Sequence, residues 1–247
     1  MSTSLFGQSI IESQKLSADT LIKLFTIANS YLEYPKNDIL KNKRLSMLFY
    51  EPSTRTRFSF EAAIDDMGGR FLSTESATHF SSVSKGETLE DTVRVISGYV
   101  DGIVIRHSED NAARIARDFL KSLEIDTPVI NAGCGQGQHP SQSFIDMFTL
   151  FKAFGRVDNL EVAVVGDLKH GRTVRSLAYL LSKFPNNIIH FISPIELSIS
   201  NDIISYLRSN NVKYTQSRNL SEYIDFVDAV LNKYYDNYTN QNIILLS

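Results

Sequence analysis

The sequence predicts an α/β protein of two domains, each a parallel sheet flanked by helices, with the two halves sharing one cleft. Two observations carry this. Short apolar runs alternate with amphipathic stretches of helical period from Arg44 to the C-terminus. The apolar runs are also followed by Ser, Gly and Asn at the points where a strand would give way to a helix. A chain of 247 residues, 43% apolar, can bury a core in each of two such units.

In order, Leu21, Ile22, Leu24, Phe25 and Ala28 make a helical stripe over Leu16 to Leu32, with Ser17 as its N-cap. A first four-stranded unit follows: strand Leu45 to Tyr50, helix Thr54 to Met67, strand Arg70 to Ser73, helix Leu89 to Ile96, strand Gly102 to Ile105, helix Asn111 to Leu123, strand Pro128 to Asn131 and helix Ser141 to Phe154. The second unit reads as strand Val162 to Val165, helix Thr173 to Phe184, strand Ile188 to Ile192, helix Asp202 to Ser209 and strand Val212 to Thr215, then Ala229 to Leu231 and Ile243 to Leu246. No Gly/Ser-rich linker separates them, so the boundary is placed at His139, giving domains 1–139 and 140–247 joined through a helix.

Composition narrows the function. The 25 basic and 28 acidic residues give a net charge of −3, which offers no general attraction to nucleic acid or an anionic membrane, so an anion site must be local. The single cysteine excludes an intrachain disulfide and a cysteine-only metal site, and fits a reducing, cytoplasmic setting. No stretch approaches the roughly 20 apolar residues a membrane helix needs, and the N-terminus lacks a signal pattern, so the chain reads as soluble.

The first chemical constellation is Phe49-Tyr50-Glu51-Pro52-Ser53-Thr54-Arg55-Thr56-Arg57-Phe58. An apolar strand runs into an N-cap serine and an amphipathic helix, so free N–H groups at the positive helix end, three hydroxyls and the Arg55 fork converge on one place. A phosphate suits it. Segment 166–173 nearly reads as the nucleotide loop G-x-x-x-x-G-K-[ST], but Arg172 stands where the lysine belongs and Asp167 adds a negative charge, which argues against a nucleotide hydrolase.

The stretch FYEPSTRTRFSFE resembles the carbamoyl phosphate motif of the aspartate and ornithine carbamoyltransferases. Four more segments agree in order: Ser81 to Thr88, Val104 to His107, Asn131 to Gln142 and Val162 to Thr173. The first resembles the loop by which the aspartate enzymes send a serine and a lysine, here Ser81 and Lys85, into a neighbouring subunit's site. The resemblance implies a carbamoyl phosphate-binding domain followed by an amino-acid-binding domain. It makes Ser53, Thr54, Arg55, Thr56, Ser81, Lys85, Arg106, His139 and Gln142 ligands of carbamoyl phosphate. Arg55, Thr56, Lys85, Arg106 and His139 would be catalytic, with Thr56, Arg106 and His139 polarising the carbonyl and Gln142 holding the carbamoyl amide. Lys85 and Arg172 would bind the carboxylates of aspartate.

The implied reaction is carbamoyl transfer to L-aspartate in pyrimidine biosynthesis, with no metal or organic cofactor. The implied assembly is a homotrimer with shared sites, with room for regulatory or other pathway subunits. His79, His107, His170 and His190 are read as structural or surface residues. After Leu231 the match weakens: Asn232 to Tyr238 stands where the family has a T-R-x-Q-like loop, and Ile243 to Leu246 resembles the strand before an H-P-L-P-R segment. Three readings stay open: an aspartate carbamoyltransferase, a transferase for another amine such as ornithine, and a catalytically silent carbamoyl phosphate binder or assembly subunit.

Overall fold

The computed structural model describes residues 7–34, 38–75, 86–232 and 244–246, and divides into two compact units, the first of Met1–Glu12 with Ile22–Pro140 and the second of Ser13–Leu21 with Ser141–Ser247. The chain passes between them within the first helix, α1 (Ala18–Glu33), and at the start of the fifth, α5 (Pro140–Phe154). Ser17 caps α1 as expected, its hydroxyl oxygen accepting the Thr20 N–H at 3.2 Å.

The first unit holds β1 (Arg44–Phe49), α2 (Thr54–Asp66), β2 (Arg70–Thr74), α3 (Leu89–Ser97), β3 (Gly102–His107), α4 (Ala112–Ser122) and β4 (Val129–Cys134). Its four strands are parallel in the order β2-β1-β3-β4. Because successive side chains point to opposite faces of a strand, Leu48, Tyr50, Ile103, Ile105 and Val129 pack into one apolar layer while Met47, Phe49, Val104 and Ala132 pack into the other. Burial on both faces is why these strands read as unbroken apolar runs. The edge strand β2 is mostly exposed, and its residues are correspondingly mixed.

The second unit holds β5 (Glu161–Val165), α6 (Arg172–Leu181), β6 (Ile188–Ile192), α7 (Asn201–Ser209), β7 (Lys213–Ser217), β8 (Ala229–Asn232) and β9 (Ile244–Leu246). All five strands are parallel, in the order β7-β6-β5-β8-β9. One face of this sheet, with Ala163, Val165, Ile192 and Val230, is covered by Leu220, Tyr223, Ile224 and Val227. Residues 13–21 belong here rather than to the first unit. A short 3-10 turn, Ser13–Lys15, packs on α6, Ser13 Oγ lies 3.2 Å from Ser143 Oγ, and Lys183 Nζ donates to the Gln14 carbonyl at 2.9 Å. Among the described residues no helix is long and apolar enough to cross a membrane.

Each sheet has one place where successive connections leave in opposite directions. In the first it lies between β1 and β3, in the second between β5 and β8. At such a switch point the loops after the two strands diverge and leave a crevice at the strands' carboxyl ends, where ligands of open α/β sheets bind.

Candidate active site

In the first unit the crevice is bounded by the loop after β1 and by the last residues of β3. Phe49 and Arg106 are register partners across these strands, and Tyr50 N donates to Arg106 O at 2.8 Å. Pro52 has no N–H to continue the ladder, and Ser53 (φ −162°, ψ 84°) turns the chain into α2, whose first bond runs from Arg57 N to Ser53 O at 3.1 Å. The Ser53 hydroxyl accepts none of the first-turn N–H groups. A serine in the N-cap position thus keeps its oxygen and leaves the positive end of α2 open to an outside acceptor.

Arg55 and Arg57, two residues apart and so about 200° apart around the helix, have different fates. Arg57 is drawn into an ion-pair cluster: its Nη1 is 3.3 Å from Glu61 and its Nη2 3.1 Å from Glu75, with side chains of Arg57 and Glu61 only 18% and 15% exposed. Arg57 also donates to Ser73 Oγ at 3.3 Å and stacks on the Phe58 ring. Arg55 is exposed and makes no hydrogen bond or ion pair with another described residue. Arg57 therefore ties α2 to β2, while Arg55 keeps its fork for a ligand. Removing Arg57 strands Glu61 in a poorly solvated place, so Arg57→Ala is expected to lower stability by about 3 kcal/mol in urea unfolding.

Arg106 closes the other side of the crevice. Its side chain is 13% exposed, Nε sits 3.6 Å from Glu51 Oε2, and Nη1 makes a long 3.4 Å contact with the Ala132 carbonyl. Both flanking aromatics are neutral: burial raises the Tyr50 phenol and lowers His107. The rings tilt against each other at 4.6 Å, and Glu109 N–H donates to His107 Nδ1 at 3.0 Å, so the neutral imidazole carries its proton on Nε2. His107 is thus structural, as its sequence setting suggested.

After β4 the chain makes its glycine-rich turn. Gly135 (φ +51°) comes so close to Asp110 that an added Cβ would lie 2.0 Å from Asp110 Oδ1 and 2.7 Å from its N. Only glycine allows this approach. The Asp110 carboxylate then accepts Gln136 N–H at 2.7 Å, Gly135 N donates to His107 O at 2.8 Å, and Cys134 N donates to Gln138 O at 3.2 Å. The turn is pinned to the end of β3, and it delivers His139, 6% exposed, immediately before Pro140 opens α5.

Sequence reasoning passed over Asp146. On α5, within the second unit, Gln142 Nε2 donates to Asp146 Oδ1 at 3.1 Å. Asp146 is 1% exposed, its Oδ2 has no hydrogen-bond partner, and burial pushes its carboxyl up to about 7 against the lowering effect of Gln142. The available signal was an aspartate among Phe144, Ile145, Met147 and Phe148, one turn from a residue already singled out.

The loop after β5 occupies the second sheet's switch point. Gly166 turns with φ +112°, the Asp167 carboxylate accepts His170 N–H at 3.0 Å and lies 3.1 Å from His170 Nδ1, and Gly171 leads into α6, which begins at Arg172. Gly171 is required by packing, since a Cβ there would lie 2.8 Å from both Asp167 O and Val174 Cγ2. Arg172 is half-buried at the first turn. The neighbouring Arg175 is committed elsewhere, to Ser200 and Asp202 at the start of α7. His190, buried on this sheet, bonds Thr215 at 2.8 Å and Glu161 at 3.0 Å and is structural.

The structure therefore gathers Ser53, Thr54, Arg55, Thr56 and Arg106 at one switch point and sets Arg172 at the other. Ser81, Lys85, His79 and the segment from Lys233 to Ile243 lie outside the described residues. Among the described residues no cluster of three or more His, Cys, Asp or Glu could hold a metal ion.

A family model for the aspartate/ornithine carbamoyltransferase carbamoyl-P binding domain matches residues 8–152. That span is more than half of the chain. The chain belongs to the aspartate/ornithine carbamoyltransferase family. It is 46% identical over 225 residues to aspartate carbamoyltransferase 3, chloroplastic, of Pisum sativum, covering 90% of this chain and 56% of that protein. The chain thus spans little more than half the length of the plant relatives it matches. The catalytic subunit of M. jannaschii aspartate transcarbamoylase superposes with a TM-score of 0.83 at 40% identity, over 91% of this chain and 72% of that one. An aspartate transcarbamoylase from Trypanosoma cruzi, solved in complex with carbamoyl phosphate and aspartate, does so with a TM-score of 0.82 at 30% identity, over 91% and 72%. The family-model span takes in the whole crevice of the first sheet, together with His139, Gln142 and Asp146, and ends before Arg172.

Proposed function

We propose that this chain binds carbamoyl phosphate at the β1/β3 switch point and transfers its carbamoyl group to the amino group of L-aspartate, giving N-carbamoyl-L-aspartate and phosphate, a step of pyrimidine biosynthesis. The observation that carries the reading is the pairing of an uncapped helix start with the Arg106 guanidinium at one crevice. Two positive sources meet there from adjacent strands, in a chain whose net charge is −3.

The attacking amine adds to the carbonyl carbon, the carbonyl oxygen becomes an oxyanion, and collapse of the tetrahedral intermediate expels phosphate. What the protein must supply is positioning and charge stabilisation. The first-turn N–H groups of α2, the hydroxyls of Ser53, Thr54 and Thr56, and the Arg55 fork would hold the phosphate and stabilise its departure. Arg106, Thr56 and His139 would meet the oxyanion. Gln142 would accept from the carbamoyl amide, and Arg172 would hold a carboxylate of aspartate in the fork geometry that favours arginine over lysine. Ser81 and Lys85 would arrive from a neighbouring copy, Lys85 serving both substrates, so the working form would be a trimer of chains, with regulatory subunits as further partners.

The test is phosphate release from carbamoyl phosphate with aspartate, with ornithine and with no amine, beside calorimetric titration of carbamoyl phosphate. Aspartate-dependent release is expected. Binding with no turnover on either amine would replace the transferase by a silent binding subunit, and an absence of binding would sink the whole reading. Arg55→Ala is expected to weaken carbamoyl phosphate about tenfold, one charge-assisted hydrogen bond at an exposed position, without altering the unfolding midpoint.

A further inference from the structure

We infer that Asp146 is a positioning residue that fixes which end of the Gln142 carboxamide faces the ligand; the inference rests on the function proposed above. A side-chain amide presents a donor end and an acceptor end, and the two are nearly interchangeable in shape. An ionised carboxylate only accepts, so the end of Gln142 turned toward Asp146 must be its NH2 group, in keeping with the 3.1 Å contact from Nε2 to Oδ1. The Gln142 oxygen is then the end left for a ligand. The amide of a carbamoyl group is donor-only, and it requires an acceptor. Without Asp146 the carboxamide could turn over and meet that amide with a second donor.

The setting of Asp146 argues against a role confined to the fold. It is 1% exposed, and one of its two oxygens has no hydrogen-bond partner. Its pair with Gln142 spans one turn of α5, so it ties no second element of the structure to the helix. A carboxyl so placed is held at an energetic cost that its single bond does not offset, whereas an apolar side chain of similar size would fit without that cost.

The test compares wild type with Asp146→Leu, Asp146→Asn and Gln142→Ala in the full chain, each checked by thermal unfolding, with steady-state kinetics against both substrates. Asp146→Leu is expected to raise KM for carbamoyl phosphate about three- to tenfold, the worth of one neutral hydrogen bond. It should leave KM for aspartate within twofold and keep or raise the melting temperature. Asp146→Asn, which can both donate and accept, should fall between that variant and wild type.

Adding Asp146→Leu to Gln142→Ala should change KM for carbamoyl phosphate no further, because the two act as one unit. A merely structural aspartate would instead lower stability, move both KM values and add its effect to that of Gln142→Ala. An active wild type whose folded Leu and Asn variants keep its KM for carbamoyl phosphate overturns the inference and leaves the proposed function standing. An inactive, non-binding wild type removes the proposed function first.

Discussion

Arg106→Ala is expected to weaken carbamoyl phosphate binding at least 100-fold in calorimetric titration, the largest loss for any single residue of the crevice. Arg106 sits at the end of β3 beside the switch point, only 13% exposed, and its nearest charged neighbour is Glu51 at 3.6 Å from Nε. A 3.6 Å separation is an ion pair rather than a hydrogen bond, and the 3.4 Å contact from Nη1 to the Ala132 carbonyl is long. An incoming phosphate or carbonyl oxygen offers the guanidinium better geometry than either. Two charge-assisted bonds at about 1.5 kcal/mol or more each supply about 3 kcal/mol, or roughly two orders of magnitude. Alanine also leaves Glu51 facing the ligand uncompensated, which adds repulsion to the lost attraction. Arg106→Lys keeps the charge but not the planar fork, and should recover only part of the affinity. A loss under threefold in a folded Arg106→Ala protein would move the anion site away from β3.

The contrast between Arg55 and Arg57 shows what the sequence could and could not say about this crevice. Helical period alone separates the two by about 200°, so one had to face away from the other. Which of them faced the crevice depended on Glu61, Ser73 and Glu75, and the last two come from the β2 end. The parallel sheets were legible for a stronger reason. Strands buried on both faces, such as Val162 to Val165 and Ile188 to Ile192, leave little freedom in residue type.

The edge strand β7, KYTQS, carries no such run, and the structure extends it to Ser217 where apolar content suggested Thr215. The membership of residues 13–21 in the second unit could not be read at all, because it rests on Ser13, Gln14 and α1 meeting residues more than 100 positions away. Asp146 was missed for the same reason. Its burial is a tertiary property, and an aspartate in a helix reads by default as solvated.

The second large effect follows from that burial. Burial pushes the Asp146 carboxyl up to about 7, with Gln142 pulling it back only in part. In the unfolded chain an aspartate titrates near 3.9. Below about pH 4 both states hold the proton and Asp146 imposes no ionisation penalty. As pH rises from about 4 toward 7 the unfolded chain releases its proton while the folded chain retains it, so stability falls, and above about pH 7 both are ionised and the loss is complete. A raised carboxyl therefore stabilises the fold at low pH and destabilises it at high pH, the reverse of an ion-paired aspartate. Three pH units correspond to about 4 kcal/mol. Asp146→Leu should accordingly be more stable than wild type by an amount of that order at pH 8, with the gap narrowing through pH 6 and closing near pH 4, read by urea unfolding across the range. A gap independent of pH would mean that packing, not ionisation, separates the two proteins. If the stabilised Leu variant also binds carbamoyl phosphate more weakly, the two measurements together place the ionisation penalty of Asp146 in the service of Gln142, as expected where a binding residue is held by a group the fold would do better without.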